Sequence, residues 1–94
     1  MTYSLVFKLP AKREWDKLNS SVRDQFKKKL AERLINPRVE GSRLRGLRNC
    51  YKIKLRSAAY RLVYQVKDDL MIVSVISVGK RERNAAYRSA AKRL

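Results

Sequence analysis

An α+β fold is predicted for this chain: an N-terminal strand and a helical hairpin packed on a mainly antiparallel four-stranded sheet, followed by a short C-terminal helix. Three observations carry that prediction. Tyr51–Leu55 and Tyr60–Tyr64 both alternate with period two, as the legs of a half-buried β-hairpin do. Leu70–Val78 is an almost unbroken apolar run with only Ser74 and Ser77 as polar members, which marks a strand covered on both faces. Val22, Phe26, Leu30 and Leu34 recur at intervals of four and lay an apolar stripe along a helix.

From the N-terminus, Tyr3, Leu5 and Phe7, or alternatively Ser4 and Val6, form the inward set of a strand of about six residues that ends before Pro10. Ala11, Trp15 and Leu18 then shift to helical spacing, and Asn19-Ser20-Ser21 closes that short helix. Ser20 or Ser21 is placed to cap the next helix, because Ser21-Val22-Arg23-Asp24 resembles a capping box with Asp in place of Glu. Asn36-Pro37 ends it, since proline cannot continue a helix and restricts the residue before it. The two helices make an αα-hairpin whose stripe lies on the sheet.

Arg38 to Asn49, with Gly41 and Gly46 among its arginines, reads as a basic connection and not as an element. In the hairpin that follows, a loop of Arg56 to Ala59 pairs Leu55 with Tyr60, Ile53 with Leu62, Tyr51 with Tyr64 and Lys54 with Arg61. Lys67-Asp68-Asp69-Leu70 turns the chain into the last strand. Pairing of Lys67 with Leu70 sets Met71, Val73 and Val75 on the face of Leu62 and Tyr64, and Ile72, Ser74 and Ile76 on the face of Lys54 and Arg61. Beyond Gly79, Asn84 is placed to cap a final helix with Tyr87, Ala90, Ala91 and Leu94 on a narrow apolar side.

A length of 94 residues leaves room for one domain, 1–94, in which every long apolar run must contribute to the core. Hydrophobic content of 45%, with Trp15, two Phe and five Tyr, is that of a folded globule and not of a disordered basic tail. The 24 Lys and Arg against 8 Asp and Glu give a net charge of +16, so a polyanion is the expected partner. Nucleic acid is favoured over a membrane surface, because the charge is spread along the chain instead of along one face of an amphipathic helix. Such an excess repels itself, so an acidic protein partner would raise stability as well as cover the surface. Cys50 is alone and histidine is absent, which excludes an intramolecular disulfide and leaves no metal spacing and no imidazole base. No metal and no cofactor are expected. Thr2 to Leu9 is too short for a signal segment or a membrane span, and a cytoplasmic location is expected.

Lys54 and Arg61 as direct cross-strand neighbours are an unfavourable pair, and Lys52 lies two residues along the same face, about 6 to 7 Å away. An anion between them would reverse the sign; a solvated basic strand face is the plainer explanation in a basic protein. Arg81 arrives at the end of the adjacent strand, so four cations could converge on one groove. On an RNA backbone such a group suits phosphoryl transfer, where positioning and charge neutralisation carry most of the catalysis. Arginine brings a bidentate fork, and lysine a point charge that can also exchange a proton. Crowded cations lower a lysine from about 10.4 and a nearby tyrosine from about 10, so either could act as a base without histidine. Tyr87 reads either as a packed helix aromatic or as a platform that stacks on an unpaired base. Glu82, between Arg81 and Arg83, reads as a solvated ion-pair partner. Lys27, Lys28 and Lys29 are either phosphate contacts or a plain solvated helix face, the second favoured by lysine's helix propensity. With no P-loop, nucleotide-binding glycine pattern or metal spacing, the residues by themselves point to a basic α+β nucleic-acid binder.

Leu44-Arg45-Gly46, Cys50-Tyr51-Lys52-Ile53-Lys54-Leu55-Arg56-Ser57, Tyr60-Arg61-Leu62-Val63-Tyr64-Gln65-Val66 and Val78-Gly79-Lys80-Arg81-Glu82-Arg83 resemble the RelE family of bacterial toxins from toxin–antitoxin modules. The resemblance runs in order through nearly the whole chain and is most specific in the last half. It implies a small RelE/ParE-like domain and a metal-independent, ribosome-dependent endoribonuclease. Such an enzyme enters the A site of the 70S ribosome, meets mRNA and rRNA there, and cuts the mRNA by attack of a 2′-hydroxyl on the adjacent phosphate. The products are a cyclic phosphate and a 5′-hydroxyl. The resemblance also implies an acidic RelB-like antitoxin as inhibiting partner, operator DNA as a partner only through the antitoxin complex, no membrane partner and no cofactor.

The family's catalytic positions fall on Lys52, Lys54, Arg61, Arg81 and Tyr87. By resemblance Tyr87 stacks on or orients the nucleotide, Lys52 and Lys54 share proton transfer and charge neutralisation, and Arg61 and Arg81 hold the scissile phosphate; base and acid stay unassigned. RNA and ribosome binding is expected of Lys27, Lys28, Lys29, Arg43, Arg45, Arg48, Arg56, Lys80 and Arg83. Ala59 departs from the family, whose members often carry glycine before the aromatic–Arg pair, and a positive φ there would strain alanine. Two other functions stay open. A non-catalytic RNA- or ribosome-binding protein would not require Arg81 with Tyr87, and a ParE-like gyrase inhibitor on the same scaffold lacks equivalents of Lys52, Lys54 and Arg81.

Overall fold

In the computed structural model, which describes residues 2–94, strand β1 (Ser4–Phe7) leads into helices α1 (Leu9–Asp16) and α2 (Ser20–Ile35). Strands β2 (Cys50–Leu55), β3 (Tyr60–Lys67) and β4 (Ile72–Lys80) follow, and helix α3 (Ala85–Arg93) ends the chain. The four-stranded sheet has the order β1-β4-β3-β2, with β1 parallel to β4 and the other two pairs antiparallel. A parallel pair needs a long crossover, and everything from α1 to β3 lies within it.

The β2–β3 hairpin has the register that the alternation predicts: Leu55 faces Tyr60, Ile53 faces Leu62, Tyr51 faces Tyr64 and Lys54 faces Arg61. The last strand differs from the prediction. Asp68–Leu70 forms a 3₁₀ turn and Met71 sits at φ 53°, so Met71 leaves the strand and Lys67 pairs with Ile72 instead of Leu70. A bulge between Val63 and Tyr64 then shifts the register, which sends Val78 to the face of Leu62 and Tyr64 with Val73 and Val75. Ile76 packs with Cys50 and Val63 on the opposite face.

Helix α1 opens at Leu9, with Pro10 in the first turn, where its missing N–H costs nothing. The cap of α2 is Asn19, not Ser20 or Ser21: Asn19 Oδ1 accepts from the Val22 N–H at 2.9 Å. Ala11, Trp15, Val22, Phe26 and Leu30 of the two helices bury against one face of the sheet, and Leu34 packs at the margin. Tyr3, Leu5 and Phe7 turn towards this layer, while Ser4 and Val6 are exposed.

The other face is covered thinly. Helix α3 buries Ala86 and Ala90 over Cys50, Val63 and Ile76, whereas Ala91 and Leu94, predicted for the apolar side, are exposed. Two buried methyl groups are worth about 1.6 kcal/mol at about 0.8 kcal/mol each, so α3 depends on polar fastenings. Ser77 Oγ donates to the Ala86 carbonyl at 2.6 Å. At the far end Arg93 forks onto Glu14 at 2.8 and 3.1 Å and donates to the Ile76 carbonyl at 2.8 Å, while Glu14 accepts from the Val78 N–H at 3.1 Å. Strand β1 stops opposite Val75, so this side-chain pair supplies the partners that a longer β1 would have given Ile76 and Val78.

Replacing Arg93 by Ala should leave both Glu14 and the Ile76 carbonyl short of a donor, at a cost of about 1 to 3 kcal/mol. Hydrogen exchange should then show faster exchange across α3 while the amides that pair β2 with β3 keep their protection.

Candidate active site

Alternation along β2 puts Lys52 and Lys54 on the face away from α1 and α2, because Tyr51, Ile53 and Leu55 are buried beneath those helices. Pairing brings Arg61 of β3 opposite Lys54. Arg81, one residue past β4, is tied to the hairpin loop by its backbone N–H, which donates to the Ala59 carbonyl at 2.8 Å. Ala59 has φ 54°, the positive value that the departure from glycine put in question, and an L-residue holds that conformation at a cost of about 1 kcal/mol. The reward is a hairpin loop closed against the arrival of Arg81.

Lys54, Arg56, Tyr60, Arg61 and Arg81 line a groove of about 370 Å³. Tyr87 approaches from α3 and lies against Arg61, whose guanidinium carbon is 4.9 Å from the ring centroid. Arg61 Nη1 donates to Asn84 Oδ1 at 2.6 Å. Arg61 Nε and the Tyr87 hydroxyl are buried without a hydrogen-bond partner among the described residues. An unpaired buried polar group costs about 1 to 3 kcal/mol, so the contact of Arg61 with Tyr87 is held at the expense of two unsatisfied donors. The two readings of Tyr87 are not exclusive here, since its ring also packs at the edge of the small core beneath α3.

The Lys52 ammonium holds Lys54 below the ordinary lysine value, with partial loss of hydration, Arg61 and Arg81 adding to the effect. The predicted lowering of a tyrosine is not found. Burial pushes the Tyr87 phenol above its ordinary value, and Arg61 pulls it only part of the way back, because the guanidinium sits over the ring and not beside the oxygen. The Tyr87 phenol is therefore held in its neutral form, and Lys54 is the group whose proton is loosened.

The remaining basic residues divide by position. Arg43, Arg45 and Arg48 rim a cavity of about 550 Å³ in the basic connection. Arg45 also borders a second cavity, of about 320 Å³, with Asn84, Tyr87 and Arg88. Arg56 lies in the groove, Lys80 lines a neighbouring cavity with Tyr60 and Arg81, and Arg83 is exposed at φ 54°. Lys27, Lys28 and Lys29 are exposed on α2, on the opposite side of the sheet from the groove. Glu82 is exposed and belongs to none of the four ion pairs among the described residues, so its predicted pairing is not realised.

Two residues escaped the sequence reading. Arg33, which looked like one more charge on α2, donates to the Lys52 carbonyl at 3.1 Å and the Tyr64 hydroxyl at 2.8 Å, fixing the outer edge of β2. Asn84 looked like the cap of α3, but its side chain makes no capping bond and serves Arg61 instead. Cys50 is buried and its thiol is pushed up to about 11 by burial, which makes it an inert core member. Among the described residues no group of three or more His, Cys, Asp or Glu could hold a metal, and no helix is long and apolar enough to cross a membrane.

A family model described as the ParE toxin of the type II toxin-antitoxin system, parDE, matches residues 5–85. The chain is 58% identical over 94 residues to the mRNA interferase toxin RelE of Escherichia coli strain K12, covering 100% of this chain and 99% of that relative. An arginine-to-alanine double mutant of E. coli toxin RelE in the free state superposes with a TM-score of 0.92 at 56% identity, covering 100% of this chain and 99% of the other. A chain of the intact E. coli RelBE toxin–antitoxin complex superposes with a TM-score of 0.83 at 60% identity, covering 86% and 99%. The family model stops where α3 begins, whereas the E. coli toxin aligns through Tyr87.

Because Lys52 is the leading cause of the lowered Lys54 value, removing its charge should raise it. In Lys52→Gln the Lys54 side-chain resonance, followed by NMR across a pH titration, should have a higher midpoint than in the parent protein.

Proposed function

The chain belongs to the RelE family of toxins of type II toxin–antitoxin systems, and from that membership we propose that it is an mRNA interferase that cuts message in the A site of the 70S ribosome. The observation that carries this reading is the groove in which Lys54, Arg61 and Arg81 meet, with Lys52 beside it and the Tyr87 ring against Arg61. Phosphate binding alone would not require an aromatic fixed against one of the arginines.

In this mechanism Arg61 and Arg81 hold the scissile phosphate and neutralise charge that grows on its oxygens, and Tyr87 orients the nucleotide. The 2′-oxygen of the substrate attacks phosphorus, its proton passes to Lys54 in the neutral form, and the bond from phosphorus to the 5′-oxygen breaks. The departing 5′-oxygen takes a proton from a neighbouring ammonium, for which Lys52 is placed. Because the nucleophile belongs to the substrate, no metal-bound hydroxide is called for. Arg43, Arg45, Arg48, Arg56, Lys80 and Arg83 extend the cationic surface around the groove for RNA and rRNA, and Lys27, Lys28 and Lys29 offer a separate contact on the opposite side.

The partner that restrains the toxin is an acidic RelB-like antitoxin. The net charge of +16 and the likeness to a chain of the RelBE complex support it, and operator DNA would be reached only through that complex. The protein acts in the cytoplasm as one domain spanning residues 1–94. The family model's description favours a second reading, a gyrase inhibitor of the ParE kind. Lys52, Lys54 and Arg81 together, and the 58% identity to a named mRNA interferase, weigh against it.

Replacing the 2′-hydroxyl at the cut nucleotide by hydrogen should abolish cleavage and leave ribosome binding nearly intact. Wild-type message should yield a cyclic phosphate and a 5′-hydroxyl, mapped by kinase labelling and by resistance to 3′-end ligation. A 5′-phosphate, or cleavage of the deoxy-substituted message, would make water the nucleophile and overturn the mechanism.

Arg81→Ala should lower single-turnover cleavage roughly 10²- to 10³-fold, as for removal of one transition-state donor, while ribosome affinity changes much less. Binding is spread over many cations, so parallel losses of rate and affinity would show Arg81 to be a binding residue only.

A further inference from the structure

We infer that Asn84 is a positioning residue for the cleavage site: its side-chain carbonyl fixes the Arg61 guanidinium so that its unbonded Nη2 is presented to the scissile phosphate. The inference rests on the role proposed for Arg61. The Tyr87 ring, 4.9 Å from the guanidinium carbon, supports the group from one side but leaves it free to rotate. One bond at Nη1 removes that freedom, and Asn84 Oδ1 provides the bond at 2.6 Å. With Nη1 taken and Nε buried, Nη2 is the donor left to meet a phosphate oxygen.

The backbone around Asn84 is shaped for this task. Arg83 and Asn84 are consecutive left-handed residues at φ 54° and φ 53°, a conformation that asparagine enters more easily than most residues. An asparagine heading a helix ordinarily spends its side chain on the first amides of that helix, as Asn19 does in α2. Asn84 forgoes that bond. The left-handed corner turns it towards β3, and Tyr87, three residues on, comes to the same side of α3. One residue grips the guanidinium edge and the other its face. A neutral carbonyl also grips Arg61 without cancelling the charge that the phosphate needs, which a carboxylate at this position would do.

The test uses Asn84→Gly, which tolerates the left-handed backbone and removes only the acceptor, in the wild-type and Arg61→Ala backgrounds. Single-turnover cleavage of ribosome-bound message should fall about tenfold in Asn84→Gly with half-saturating ribosome concentration unchanged, and should fall no further when Arg61 is already Ala. Unchanged cleavage in Asn84→Gly, or an equal loss in both backgrounds, overturns the inference, the second by showing a merely structural role. Full cleavage by Arg61→Ala alone would instead remove the role proposed for Arg61, and the inference with it.

Discussion

Two like charges facing each other across a hairpin, Lys54 and Arg61, are the constraint on which the rest of the site depends. Only the small core of Cys50, Val63 and Ile76 lies on their own face, and the pairing is imposed mainly from behind. Ile53 and Leu62, with Tyr51 stacked on Tyr64 at 5.7 Å between ring centroids, are buried under the helical hairpin on the opposite side of the same strands. A slip of one residue would expose that whole apolar set, so the core fixes the register and the register fixes the cations. Arg33 reinforces the arrangement by bonding the Lys52 carbonyl from the outer edge of β2. Repulsion stored in this way becomes available to an anionic ligand, since binding removes it.

The face that carries the cations has little core of its own. Helix α3 buries two alanines with Tyr87 at their margin and is fastened at its ends by Ser77, Glu14 and Arg93, yet it brings Tyr87 against Arg61. The position of the aromatic against Arg61 is thus set by polar bonds more than by packing. A segment held in this way belongs to the low-stability end of a fold, where functional elements are commonly found. The bulge between Val63 and Tyr64 serves the same end, because it lets β4 contribute Val78 to one core and Ile76 to the other while Gly79 passes close to the start of α3. A Cβ on Gly79 would lie 3.5 Å from the Ala86 nitrogen, so the strand and helix are already at ordinary contact there.

Much of this was legible in the residues because period two and period four leave little choice. The hairpin register, the stripe of α2 and the meeting of Lys54 with Arg61 all follow from burying one face. The strain at Ala59 was legible as a question, since only the loop geometry could supply the sign of φ. Other features depend on competition between near-equal local choices. Asn19, Ser20 and Ser21 are all good caps, and a bulge leaves no mark in a run as uniformly apolar as β4. Asn84 was misplaced for a stronger reason: residue type and position both fit a helix cap, and only the left-handed backbone turns the side chain to Arg61.

The same cations act with opposite outcome on the two candidate proton carriers, and geometry decides which. Lys54 presents its ammonium to Lys52, so repulsion dominates and the proton is loosened. Tyr87 presents its ring to Arg61 and keeps its oxygen in the interior, so loss of hydration dominates and the proton is held. A sequence reading that counts charges near a tyrosine predicts the reverse, because it cannot tell the face of a ring from its hydroxyl. The division of labour follows from that difference. In the proposed mechanism proton transfer therefore falls to the lysine side of the groove and orientation of the nucleotide to the tyrosine side, with Arg61 placed between them, opposite Lys54 and against the Tyr87 ring.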